Sequence, residues 1–143
     1  MLTTTILQPV FALALWTSLV LLLIPITRFR AAFRREVVAD DFKYGESARV
    51  PVYASLPNRN YMNLLELPVL FYVVCLVIYV TGITSPAMVV VAWAYVALRV
   101  AHSVIHISYN AVMHRLVAFA TSNFVLIALW VMAALQLFAQ PQG

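Results

Sequence analysis

Residues 86–107, PAMVVVAWAYVALRVAHSVIHI, make an apolar run long enough to cross a bilayer, yet Arg99, His102 and His106 lie in its second half. About 20 helical residues at 1.5 Å each span the roughly 30 Å of hydrocarbon in a membrane. A charge in that slab costs about 2.5 to 3.5 kcal/mol on insertion scales, so one that persists there points to a function. The run thus specifies both a buried helix and the place to look for chemistry.

Three other stretches have the same length and character, near Leu7 to Ile26, Tyr61 to Thr81 and Leu116 to Phe138. The chain has 143 residues, 64% hydrophobic and 10% charged, with a mean hydropathy of +0.94. That leaves too little polar surface to cover a soluble globule of this size. We therefore read a single domain over residues 1–143: an all-α integral membrane protein built as a four-transmembrane-helix bundle. The first span is expected to persist, because no Lys or Arg precedes it as a secretory signal requires. The one cysteine, Cys75, lies in an apolar helix and reads as a packing residue.

Charge sets the expected orientation. Arg28, Arg30, Arg34, Arg35, Lys43, Arg49 and Arg59 lie between the first two spans, and Arg115 opens the fourth. Both connections fall on one side of a four-helix topology, so the positive-inside rule puts the loop over residues 28–59 in the cytoplasm and both termini outside. This fits an inner membrane if the protein is bacterial. The loop also holds Glu36, Asp40, Asp41 and Glu46, for a net charge of +3, which suits contact with anionic membrane lipid. No folded basic domain or base-reading motif accompanies it, which argues against nucleic acid as a partner.

At 100° per residue, Ser103 and His106 fall within about 40° of Arg99, with Tyr95, His102 and Asn110 within about 60° of it. On the second span Arg59, Asn63 and Glu66 likewise share a face within about 60°. Glu66 and Arg99 come to a similar depth, so a pair is expected, within one subunit or across an interface, since each alone would be a charge in low dielectric. Pro68 removes a hydrogen bond to the Leu64 carbonyl and should bend its helix. His102 and His106 have the i, i+4 spacing of two metal ligands, but no His-Glu-x-x-His motif is present, and we assign no metal. Trp16, Trp93 and Trp130 sit near the middles of their spans and read as packing or lipid-facing bulk.

Taken in order, Arg-x-x-x-Asn-x-x-Glu-x-Pro (Arg59, Asn63, Glu66, Pro68), Arg-x-x-His (Arg99, His102) and Arg115 at the head of the fourth helix resemble the MAPEG superfamily, the membrane-associated proteins in eicosanoid and glutathione metabolism. The similarity runs through essentially the whole chain, which resembles a bacterial-type microsomal glutathione transferase-like member. It implies a homotrimer binding glutathione as co-substrate, between subunits, in a pocket open to the cytoplasm. On this resemblance Arg59, Asn63, Glu66, Arg99 and His102 would contact or orient glutathione, Arg28 would add a cationic contact, and Arg115 would activate the thiol. Where many members carry a tyrosine four residues after the third-helix histidine, this chain has His106, whose imidazole can donate the same hydrogen bond. The second substrate would be lipophilic, an electrophile or a lipid hydroperoxide, in a transferase or peroxidase reaction. Two other readings are a non-catalytic member that binds a lipid or a partner, and an ion or proton pathway through Glu66, His102 and His106.

Overall fold

The computed structural model describes residues 2–139. A single turn, α1 (Leu2–Thr5), leads into α2 (Leu7–Phe33); α3 (Val52–Leu65), α4 (Pro68–Thr81), α5 (Pro86–Ile107) and α6 (Val112–Ala139) follow. α3 and α4 together make one crossing, so four helical stretches are long and apolar enough to span a membrane, as expected. The protein is a multi-pass, all-helical membrane bundle.

Short connections force successive crossings to run antiparallel. The second and third are joined at Gly82, whose φ of 71° ends α4 in the left-handed region, followed by Ser85, whose Oγ accepts the Met88 N–H at the start of α5. α5 is the hub. It packs on α6 most extensively, and also on α2 and α3. Its buried stripe is Met88, Ala92, Tyr95, Val96, Arg99, His102, Ser103 and His106. The first half of that stripe is apolar and meets Leu13, Phe71, Cys75 and Leu129 in the main core, as expected for Cys75. The second half is polar and still faces inward.

Helix ends depart from the expected boundaries. α2 continues past Ile26 to Phe33, α3 begins at Val52 rather than near Tyr61, and α6 begins at Val112 rather than Leu116. Bilayer thickness limits the apolar length, not the helix; at 1.5 Å per residue the 27 residues of α2 extend about 40 Å. The polar loop shrinks accordingly to residues 34–51.

That loop is folded. Asp41 accepts the Val38 N–H at 2.8 Å and the Ser47 hydroxyl at 2.7 Å, closing the 3₁₀ turn Ala39–Phe42. The backbone amide and the hydroxyl hold its carboxyl below the usual carboxylate range, with a smaller contribution from Arg49. Glu46 accepts from Arg28 of α2 at 3.0 Å and from the Ser55 hydroxyl of α3, so one carboxylate ties the two helices. Beneath it Ala31, Val37 and Ala54 form a small second core.

Pro68 does more than bend its helix. Glu66 turns to φ −81°, ψ −103°, the amides of Glu66 and Leu67 are not bonded back into α3, and Pro68 starts α4 in the position where a missing N–H costs nothing. The crossing is two helices of 14 residues each.

Candidate functional site

The break in the second crossing explains the position of Arg99. The Asn63 carbonyl, which would ordinarily accept the Leu67 amide, accepts Nη2 of Arg99 at 2.7 Å instead. A helix leaves its last carbonyls unpaired and carries a partial negative charge at that end, so a buried guanidinium is favoured there. Arg99 is fully buried, lies 5.7 Å from the centroid of the Phe119 ring, and keeps Nε and Nη1 without a hydrogen-bond partner.

A second network lies beside it. Asn60 Nδ2 and Trp16 Nε1 both donate to Ser103 Oγ, at 2.6 and 2.9 Å, joining α3, α2 and α5. Trp16 packs against the main core, one of the two readings its sequence position allows, and its indole N–H has in addition a buried acceptor. Asn60 is fully buried, and the one signal for it in the sequence is its place three residues before Asn63. Trp93 is exposed, consistent with a side chain facing lipid.

On the far side of Arg99 a cavity of about 260 Å³ opens between α3, α5 and α6, lined by Asn63, His102, Val112, Arg115, Leu116 and Phe119. His102 and His106 meet edge to face, 5.8 Å between ring centroids, each with Nδ1 buried and unpartnered. Arg115 donates from Nη1 to Asn110 Oδ1 at 2.7 Å, and its Nε is also buried and unpartnered. Asn63, His102 and Arg115 thus converge, with Arg99 and His106 immediately behind them.

Three expected residues lie elsewhere in the single chain. Arg59 and Glu66 are exposed. Among the described residues Glu66 forms no ion pair with Arg99 within the chain, because the turn at the helix break swings Glu66 outward while a backbone carbonyl takes its place at the guanidinium. Arg28 is engaged by Glu46 and lies 4.6 Å from the Phe42 ring, beside a separate apolar cleft of about 430 Å³ under the loop. That cleft has no converging polar groups apart from Arg28.

From the cavity an apolar groove of about 290 Å³ continues along α6. It shares Leu116 and Phe119 with the cavity and proceeds through Ala120, Asn123, Phe124 and Ile127, one helical face in sequence. Among the described residues no cluster of three or more metal-ligating side chains occurs. The site combines permanent cations, neutral hydrogen-bonding groups and an adjoining apolar channel, which suits an anion joined to a lipophilic reactant.

The sequence model of the MAPEG family matches residues 6–135, which takes in the first three crossings, most of the fourth and every residue of this site. No curated protein sequence and no solved structure matches the chain.

Proposed function

The chain belongs to the MAPEG family, and from that premise we propose that it binds glutathione from the cytoplasmic side and transfers or oxidises its thiol against a lipophilic electrophile or lipid hydroperoxide. The observation carrying this reading is the convergence of Asn63, His102 and Arg115 on one cavity, where the guanidiniums of Arg99 and Arg115 form no ion pair among the described residues.

A free thiol titrates near 8.5 and only its anion is a strong nucleophile, so a fixed cation in contact with the sulfur raises the reactive fraction at neutral pH. Lowering that pKa by about two units takes roughly 2.7 kcal/mol of preferential thiolate stabilisation. Arg115, whose Nε lies unpartnered in a residue lining the cavity, is the catalytic residue in this scheme. The thiol loses its proton to solvent, and the sulfur then attacks the electrophilic carbon, which expels its leaving group as the anion, or attacks the outer peroxide oxygen, which breaks the O–O bond to give a sulfenic acid and an alkoxide that takes up a proton. A second glutathione thiol then condenses with the sulfenic acid to disulfide and water. Arg99 adds charge from behind Phe119 and holds the Asn63 backbone, while His102 and His106 offer ring nitrogens to the peptide. The groove along α6 admits the second reactant from the bilayer.

A cavity of about 260 Å³ falls below the ~300–1,000 Å³ usual for ligand sites. Arg28, Arg59 and Glu66 do not line it in the single chain. Both facts support completion by a neighbouring copy in a homotrimer, in which those residues reach the bound tripeptide. The clustering of cations around the loop supports the orientation with that end in the cytoplasm and both termini outside.

Calorimetric binding of glutathione to purified protein, with the ultraviolet absorbance of the bound thiolate, tests the reading. Saturable binding lost in Arg99→Ala is expected, and an absence of binding in the native protein would favour a non-catalytic lipid- or partner-binding role. Native mass spectrometry reports the trimer.

A further inference from the structure

The turn between α5 and α6 is braced by two consecutive contacts of the same span. Tyr109 OH and His114 Nδ1 share a hydrogen bond of 3.0 Å with their rings edge to face, and one residue on, Asn110 accepts from Arg115 at 2.7 Å. Asn110 has a φ of 51°, left-handed backbone that asparagine tolerates better than most residues, and its amide donates to the Ile105 carbonyl at 2.8 Å. The carboxamide is thereby carried on a fixed backbone. Arg115 is bonded in turn through its own amide to the Ala111 carbonyl at 3.0 Å.

We propose that Asn110 is a positioning residue that aims the Arg115 guanidinium into the cavity while leaving its charge uncancelled. An arginine side chain carries about 2 kcal/mol of rotamer entropy when free, and a single short bond to Nη1 selects one arrangement. That bond leaves Nε unpartnered. A carboxylate would hold the same nitrogen as well but would neutralise the cation and oppose a thiolate beside it, as an adjacent like charge raises a thiol's pKa. The neutral amide separates orientation from neutralisation. This inference rests on the glutathione reading, because it assigns the open guanidinium edge to the thiolate sulfur.

Two substitutions dissect it. Asn110→Asp keeps the acceptor and a residue compatible with positive φ but adds charge; Asn110→Gly keeps the backbone and removes the acceptor. The readout is the pH titration of thiolate absorbance with glutathione bound to the full-length trimer or monomer as purified, alongside helicity by circular dichroism. The bound thiol's pKa is expected to rise by about one unit in Asn110→Asp, which cuts the thiolate fraction at pH 7 about threefold, and by less in Asn110→Gly. Glutathione affinity should change less than threefold in both variants, by the reasoning that the acceptor touches Arg115 rather than ligand. Unchanged thiolate titration in both variants, with the parent showing a lowered bound-thiol pKa, overturns this inference alone. A parent that binds no glutathione overturns it together with the functional reading.

Discussion

Arg28 and Arg115 occupy the same end of the bundle and are held in opposite ways. Arg28, near the C-terminal end of α2, is met by the carboxylate of Glu46 and contributes to a latch that joins α2, the loop and α3. Arg115, at the start of α6, is met by a carboxamide, and Arg99 by a backbone carbonyl. Within the single chain the neutralised Arg28 builds scaffold, although its Nε too is unpartnered, whereas the cations beside the cavity meet only neutral acceptors, with two unpartnered nitrogens on Arg99 and one on Arg115. Such atoms are costly unless something arrives to meet them. Charge left uncompensated is thus a better guide to the site than charge density, which is highest in the loop.

The largest effect should come from removing the uncompensated cation. Arg115→Ala is expected to lower kcat about 25-fold at pH 7, the thiolate fraction lost as the bound thiol returns to its free pKa, while leaving glutathione affinity within a few-fold; steady-state turnover and calorimetry together measure the split. Next is the buried network that keeps α5 in register. Ser103→Ala strands the donors of Asn60 and Trp16 and should destabilise the detergent-solubilised protein by about 1 to 2 kcal/mol, near the upper end for hydrogen bonds in membranes. Thermal unfolding of the variant beside Trp16→Phe, expected to shift less, would show it.

Smaller effects belong to the scaffold side. Glu46→Gln releases Arg28 from its carboxylate and should speed proteolysis within residues 34–51, yet leave turnover within about twofold, as part-exposed ion pairs contribute little. A large loss of turnover would blur the distinction between the two arginines. The smallest effect concerns Asp41. Its carboxyl is lowered by the Val38 amide and Ser47, so its stabilisation is present above its unfolded pKa of about 3.9 and is lost as pH falls below that value through the folded one. Hydrogen exchange of the loop should rise over that acid window, and Asp41→Asn should remove the dependence.

The sites of legible and illegible detail differ in kind. The stripe on α5 follows from helical period alone, and every member from Arg99 to His106 faces inward as predicted. The fate of the second crossing does not follow from period. Pro68 removes one N–H, a change compatible with a bend or a full break. The break at Glu66 and Leu67 is accompanied by an Arg99 guanidinium, 36 residues away in the chain, on the freed Asn63 carbonyl. The same event sends Glu66 outward and defeats the expected pairing within one chain. Asn110 shows a third case: its position on the polar face is readable, but its role depends on a left-handed turn that only the junction with α6 imposes.

Composition and periodicity were sufficient for four crossings, for the inward face of α5 and for the end of the bundle that gathers cations, because burial of apolar area and exclusion of charge from lipid act on each segment separately. Which polar group meets which was settled by folding. Partner choice for Arg28, Arg99, Arg115 and Trp16 depends on helices brought together from distant parts of the chain, and a buried donor accepts whichever carbonyl, amide or carboxylate the packing leaves within reach.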